Sequence, residues 1–196
     1  MIKIGISGKA NSGKDTLSNL IEDEINDLYH TMHLTKIIAF ADPIKKIIEC
    51  MYPQINKEHL FGSSKFRNEI IPGSFKNGLP LTIRVLLQDI GESFKKYNPK
   101  IWVNAFDNSF TKCKNKNYNI VIASDLRFID EYSYLKDNGF YIIRLVRDDV
   151  NMMSHISETQ QDQIKDNDFN IIINNNGTID DLRVQVINLI PSLKSE

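Results

Sequence analysis

Short apolar runs alternate with amphipathic stretches from one end of this chain to the other. Five runs, at 2–7, 36–40, 119–124, 140–146 and 169–173, are rich in Ile and Val and too short for helices, so they predict buried strands. Six longer stretches, at 14–29, 43–51, 82–97, 101–113, 128–138 and 179–190, place apolar residues near helical spacing. In the first, Leu17, Leu20, Ile21 and Leu28 recur with one polar interruption at Glu24. Punctuation residues agree with these bounds. Asp42 predicts an N-cap with Pro43 at the first helical position, Gly139 a C-cap, and Thr178 the cap of the last helix. Alternating strands and helices are the signature of βα units around a parallel sheet. Two stretches fit no such unit. Residues 53–81 carry Gly62, Pro72, Gly73, Gly78 and Pro80 and predict a loop-rich insert. Residues 148–168 are polar with helical patches and follow a strand. Either is a candidate for a flap that closes over substrate. With no repeat and no long linker, 1–196 is expected to be a single domain carrying an insert and a lid.

Chemistry enters at the first strand–helix junction. Gly8-Lys9-Ala10-Asn11-Ser12-Gly13-Lys14-Asp15-Thr16 matches G-x-x-x-x-G-K, follows a buried strand and opens an amphipathic helix, which is the context the motif requires. Gly8 and Gly13 let the chain wrap with its N–H groups inward, forming an anion nest. The helix N-terminus adds the positive end of its dipole, and Lys14 a mobile cation for a transferring phosphoryl group. The expected fold is therefore an α/β P-loop NTPase with ATP phosphates on this loop. The position after Lys14 usually carries Ser or Thr for magnesium. Here it is Asp15, followed by Thr16. Asp15 is open to three roles: holding Mg2+ through water, orienting an acceptor, or capping the helix. Thr16 is the alternative hydroxyl.

Further candidates stand at strand ends, where ligands of open α/β sheets bind. Asp125 ends the run at 119–124 and is expected as the second acidic contact to magnesium or substrate, against a plain N-cap for the next helix. Arg127 follows it, able to fork onto phosphate or to pair with Glu131 at i+4. Asp42 suits either a substrate contact or the cap, and Lys45 and Lys46 a solvated face. Arg84 and Gln88 stand at i and i+4 on one helix, an arginine for phosphate and an amide for a base edge. Trp102 suits either a base stack or the core. Arg144, Arg147 and His155 border the polar segment, from which Arg147 would reach a transferred phosphate. The turn Asn174-Asn175-Asn176-Gly177-Thr178 would cradle adenine with backbone groups, or is merely a turn.

Composition narrows the partners. A net charge of -1 argues against a surface for polymeric nucleic acid, and no apolar run reaches membrane-spanning length. The first residues enter a strand directly and lack the basic start of a signal peptide. Cys50 and Cys113 are too few for a disulfide framework, so a cytoplasmic, reducing setting is expected. The partner expected is a small nucleotide, with homodimer formation left open. A GTPase switch should carry Asn-Lys-x-Asp, and the nearest string, Asn56-Lys57-Glu58-His59, lacks the Asp. A degenerate nucleotide binder should have lost Lys14 or Asp125, and both are present.

Together these pieces resemble the deoxynucleoside monophosphate kinases of tailed phages, within the nucleoside monophosphate kinase superfamily. The resemblance runs through Ser12-Gly13-Lys14-Asp15-Thr16, Phe40-Ala41-Asp42-Pro43-Ile44-Lys45, Arg84-Val85-Leu86-Leu87-Gln88 with Gly91, and Trp102-Val103. It continues through Ser124-Asp125-Leu126-Arg127-Phe128 with Glu131, His155-Ile156-Ser157-Glu158 and Asn175-Asn176-Gly177-Thr178. The resemblance implies a five-stranded parallel sheet, ATP on the P-loop and a deoxynucleoside monophosphate as acceptor. It implies acceptor contacts at Ser12, Asp15, Thr16, Arg84, Gln88, Trp102, Asp125, Arg127 and Glu131. The family usually has Thr after Gly91, where this chain has Glu92, and its later basic residue is matched only by Lys95 or Lys96. Other small-molecule kinases of this fold, for phosphomevalonate or dephospho-coenzyme A, and a non-catalytic nucleotide binder are the alternatives.

Overall fold

Parallel pairing follows where a helix returns the chain to the edge from which the strand before it set out. The computed structural model describes residues 1–29, 35–148, 161 and 163–193. Strands β1 (Ile2–Ser7), β2 (Thr35–Ile38), β5 (Ile120–Leu126), β6 (Tyr141–Val146) and β7 (Ile171–Asn174) form one sheet in the order β2-β5-β1-β6-β7. Each neighbouring pair is parallel. The expected α/β fold with a five-stranded parallel sheet is the observed one.

Alternation of side chains divides the core between the two faces of the sheet. Ile4 and Ile6 of β1, Ile120 and Ile122 of β5, Ile143 and Leu145 of β6 and Ile173 of β7 share one buried cluster. Leu17, Ile21 and Ile25 of α1 (Lys14–Tyr29) close it, with Leu182, Val186 and Leu189 of α7 (Ile179–Leu189). Helix α5 (Ile101–Asn115) contributes Phe106 and Phe110 to an aromatic cluster with Phe40 and Phe140. The Phe40 and Phe106 rings stack with centroids 4.1 Å apart. Helix α6 (Ile129–Asp137) approaches β1 so closely that a Cβ on Gly5 would lie 2.9 Å from the Leu135 side chain. With all strands parallel, β1, β5, β6 and β7 end along one edge, and that edge carries the phosphate loop.

The chain divides into two compact units, residues 1–40 with 106–196, and residues 41–105. The second contains α2 (Asp42–Met51), α3 (Lys57–Phe61), a 3-10 turn (Ser64–Asn68), a hairpin of β3 (Ile70–Lys76) and β4 (Leu79–Thr82), and α4 (Ile83–Lys95). Its core holds Ile44, Ile48, Leu60, Ile71, Ile83, Leu86 and Trp102. Residues 53–81, expected to be loop-rich, are thus largely ordered into elements. Lys76 pairs with Leu79 across a two-residue turn, with φ 52° at Asn77 and 79° at Gly78. Asn-Gly with both residues in the left-handed region fits the twist of a hairpin. At α2 the expected cap is corrected: Ala41 is the N-cap, with no side-chain bond, and Asp42 is already helical. The Asp42 carboxylate instead accepts from Lys45 Nζ at 3.0 Å. The expected solvated face also splits. Lys46 is exposed, whereas Lys45 is 8 % exposed and lies over the Phe61 ring at 5.4 Å. Its long apolar stem is buried while the ammonium keeps a carboxylate partner.

Candidate functional site

The junction of β1 and α1 is tightly wound, and glycine is what permits it. A Cβ on Gly8 would lie 2.6 Å from Ser12 Oγ and 2.8 Å from the Leu145 carbonyl oxygen. Gly13 has φ 99°, and a Cβ there would lie 2.5 Å from Asn175 Nδ2. Asn11 also takes a positive φ, 62°. Within this loop Ala10 and Ser12 are buried, and Ser12 Oγ is a buried hydroxyl without a hydrogen-bond partner among the described residues. Such a group costs free energy unless something pairs with it, so its place in a loop at a helix start points to a polar ligand. Lys14 is 8 % exposed and donates to the carbonyls of Gly8 at 2.6 Å and Lys9 at 2.7 Å. Asp15 is exposed and Thr16 half-buried on the first turn of α1.

Asp125 stands on the neighbouring strand end. Gly5 lies opposite Ala123 and Ser7 opposite Leu126, so β5 carries one residue more than β1 over this stretch. A local insertion of this kind bends a strand and re-aims its side chains. Asp125 lies in that stretch, and its Oδ1 accepts from the Phe40 N–H at 2.7 Å. It is therefore not the cap of the next helix. The N-cap is Phe128, and the capping carboxylate belongs to Glu131, which accepts from the N–H groups of Arg127 at 2.8 Å and Phe128 at 3.0 Å. Glu131 is buried, and two of its bonds are structural. The i+4 pairing expected of Arg127 is in this respect made by its backbone. Its side chain is half-buried at the same edge.

The other side of the loop faces the ends of β6 and β7. A cleft of about 280 Å³ is lined there by Gly8, Lys9, Ser12, Arg144, Arg147 and Gln161, among others. Arg147 is exposed. Arg144 is held by the Ile164 carbonyl at 3.0 Å and Asp166 Oδ1 at 2.9 Å, with its guanidinium over the Phe169 ring. Gln161 is buried and donates to Ser7 Oγ at 2.8 Å and the Leu126 carbonyl at 3.1 Å. Nothing in the sequence singled out Gln161, because a lone glutamine in a polar stretch has no pattern. Of the expected lid, residues 149–160 and 162 lie outside the described residues, as do His155 and the string around it. Asn175 is buried and donates from Nδ2 to the Ser12 carbonyl at 2.8 Å. Its backbone N–H donates to Val146. That donor is thus spent on the strand ladder and is one backbone group of the turn that adenine would not use. Asn176 pairs through both amide atoms with Asp148, and Gly177 is exposed beside the Thr178–Asp181 cap. The Thr178 backbone N–H, and then its hydroxyl, hold the Asp181 carboxyl below its ordinary value of 3.8.

The remaining candidates belong to the second unit. Arg84 and Gln88 occupy neighbouring turns of α4, and Arg84 donates to Asn68 Oδ1 at 2.8 Å. Trp102 takes the core place of the two expected for it. It is 5 % exposed, tilted against Phe94, and its Nε1–H donates to the Gly91 carbonyl at 2.8 Å. An indole so placed packs in the core with its N–H bonded.

The loop fits a polyphosphate: a close-wound backbone, an unpartnered buried hydroxyl and a lysine at a helix start. Among the described residues, no group of three or more His, Cys, Asp or Glu could hold a metal ion. Magnesium does not need such a cage, since it keeps several waters and binds through one or two carboxylates together with substrate phosphates. Asp15, Thr16 and Asp125 carry oxygens of the kind it takes.

The family described as deoxynucleotide monophosphate kinase matches this chain over residues 56–186. A protein of Acanthamoeba polyphaga mimivirus, provisionally named deoxynucleotide monophosphate kinase, is 28% identical over 202 residues, spanning 97% of this chain and 96% of its own. Among solved structures, the dephospho-CoA kinase from Campylobacter jejuni aligns with TM-score 0.49 and 14% identity, covering 96% of this chain and 95% of that one. A sugar kinase from Janibacter sp. HTCC2649 aligns with TM-score 0.48 and 12% identity over 98% of both chains. The family match begins after the phosphate loop, so loop and match are separate observations.

Proposed function

The chain belongs to the deoxynucleotide monophosphate kinase family, a family of nucleotide kinases, and from that premise we propose that it moves the γ-phosphoryl group of ATP to a deoxynucleoside monophosphate. The observation that carries this reading is the buried Ser12 hydroxyl inside the glycine-wound loop, unpartnered among the described residues. A buried hydroxyl of this kind suits a phosphate oxygen.

In the proposed reaction an oxygen of the acceptor phosphate attacks the γ-phosphorus. A new P–O bond forms as the bond from the γ-phosphorus to the bridging oxygen breaks, and ADP leaves with that electron pair. The acceptor oxygen is already ionised at neutral pH, so the chain need not supply a base. Its contribution is alignment and charge neutralisation. Gly8 to Thr16 hold the triphosphate through backbone N–H groups and the Ser12 hydroxyl. Lys14 exchanges its carbonyl partners for phosphate oxygens and neutralises charge that grows during transfer. Magnesium, when bound, would neutralise phosphate charge, held by Asp125 with Thr16 or Asp15. Arg127 and Arg147 are the proposed phosphate contacts, and Arg84 and Gln88 the proposed acceptor contacts. Asp42 and Glu131 serve as supports through the bonds described above.

An ADP-release assay across deoxynucleoside monophosphates, phosphomevalonate and dephospho-coenzyme A tests the reading. The expected result is turnover with one or more deoxynucleoside monophosphates. Turnover restricted to a non-nucleotide acceptor would overturn it.

A further inference from the structure

Asn175 lies 163 positions from Ser12 in sequence, yet touches it inside the phosphate loop. Its Nδ2 donates to the Ser12 carbonyl at 2.8 Å in a buried setting, and Asn175 is itself 7 % exposed. The side chain has a fixed base, because the Asn175 backbone N–H donates to the Val146 carbonyl at 2.7 Å. That bond continues the pairing in which Val146 stands opposite Asn174. The amide is thus mounted on the sheet.

The consequence follows from peptide geometry. No cis bond occurs among the described residues, so the Ser12–Gly13 peptide is trans, and its carbonyl and N–H point to opposite sides. A carbonyl held toward Asn175 turns the Gly13 N–H away from it. No group among the described residues takes up that N–H. Gly13 contributes twice: φ 99° is open to glycine, and a Cβ would sit 2.5 Å from Nδ2 and expel the amide. Without the amide, the peptide would be free to rotate and point its carbonyl, a partial negative charge, at an anion.

We infer that Asn175 is a positioning residue for the phosphate loop: its side-chain amide locks the Ser12–Gly13 peptide so that the Gly13 N–H is presented to a bound polyphosphate. The inference rests on the proposed nucleotide-kinase reading and assigns Asn175 a role apart from any contact with adenine. An adenine contact would be blind to a ligand with no base, whereas a lock on the loop is felt by bare polyphosphate.

The test compares wild type, Asn175→Ala and the near-isosteric, uncharged Asn175→Leu, which fills the space and removes the donor. Binding of inorganic tripolyphosphate with magnesium is measured by calorimetry, together with melting temperature and KM for ATP and for the acceptor. The expected result is about tenfold weaker tripolyphosphate binding in both variants and a matching rise in KM for ATP. The acceptor KM should stay near wild type, and the melting temperature should fall by no more than the loss of one buried hydrogen bond brings. Should Asn175→Ala not fold, Asn175→Leu carries the comparison. Wild-type affinity for tripolyphosphate in the variants would overturn the inference while leaving the kinase reading in place. Parallel loss of ATP affinity, acceptor affinity and melting temperature would overturn it too, marking Asn175 as structural only. Wild-type protein that ignores tripolyphosphate would overturn the phosphate-loop reading and this inference with it.

Discussion

Lys14 and Asp125 each have a structural bond and a proposed chemical task, and substitutions can separate the two. Lys14 Nζ donates to two loop carbonyls, so Lys14→Met keeps the stem and removes both the bonds and the charge. Its turnover should fall ~10²-fold or more, the usual loss when a group neutralising transition-state charge is removed. Near-normal turnover in folded Lys14→Met would contradict the role. Asp125→Asn keeps an Oδ1 that can accept from Phe40 and loses the negative charge. Its melting temperature should therefore stay near wild type while turnover drops and the magnesium requirement rises. A lower melting temperature with unchanged kinetics would assign Asp125 to structure. Trp102→Phe should behave in the opposite way. Losing the bond to Gly91 should cost about 1 kcal/mol of stability, with the acceptor KM unchanged. An acceptor-dependent change in wild-type tryptophan fluorescence would speak for a base contact instead. The loop residues were legible in the sequence because their spacing, strand and helix occur together. The roles of Asn175 and Trp102 were not, since each depends on where a distant segment arrives.

At the scale of elements, periodicity located the five sheet strands to within a few residues, because buried parallel strands are nearly continuous apolar runs. The hairpin escaped, although Asn77-Gly78 is a strong turn signal. Its strands carry Pro72 and Pro80 and leave Ile70, Phe75 and Leu79 exposed, so no burial pattern marks them. Helix α7 makes a pH-dependent prediction. Asp181 has a folded-state pKa held below 3.8 by the Thr178 N–H and hydroxyl. A group lowered on folding contributes stability that is present above its unfolded pKa and is lost as pH falls through the folded value. The melting temperature of wild type should thus exceed that of Asp181→Asn near neutrality, and the gap should close as pH falls below 3.8. A gap that stays constant down to strong acid would show that the cap does not depend on the carboxylate's charge.

For the molecule as a whole, the two compact units divide the proposed work along the chain. The first holds the phosphate loop with Asp125 and Arg127, and the second holds Arg84 and Gln88. The boundaries at 40 and 105 were not legible, because α2 and α4 read as ordinary helices of a βα series. No helix among the described residues is long and apolar enough to cross a membrane. The central claim is that this loop passes a phosphoryl group to a deoxynucleoside monophosphate. The most direct measurement incubates the protein and magnesium with γ-phosphate-labelled ATP and each deoxynucleoside monophosphate in turn, and follows the label. Label is expected in at least one deoxynucleoside diphosphate, formed one-for-one with ADP and lost in Lys14→Met. Label found only in inorganic phosphate, or only on a non-nucleotide acceptor, would contradict that claim.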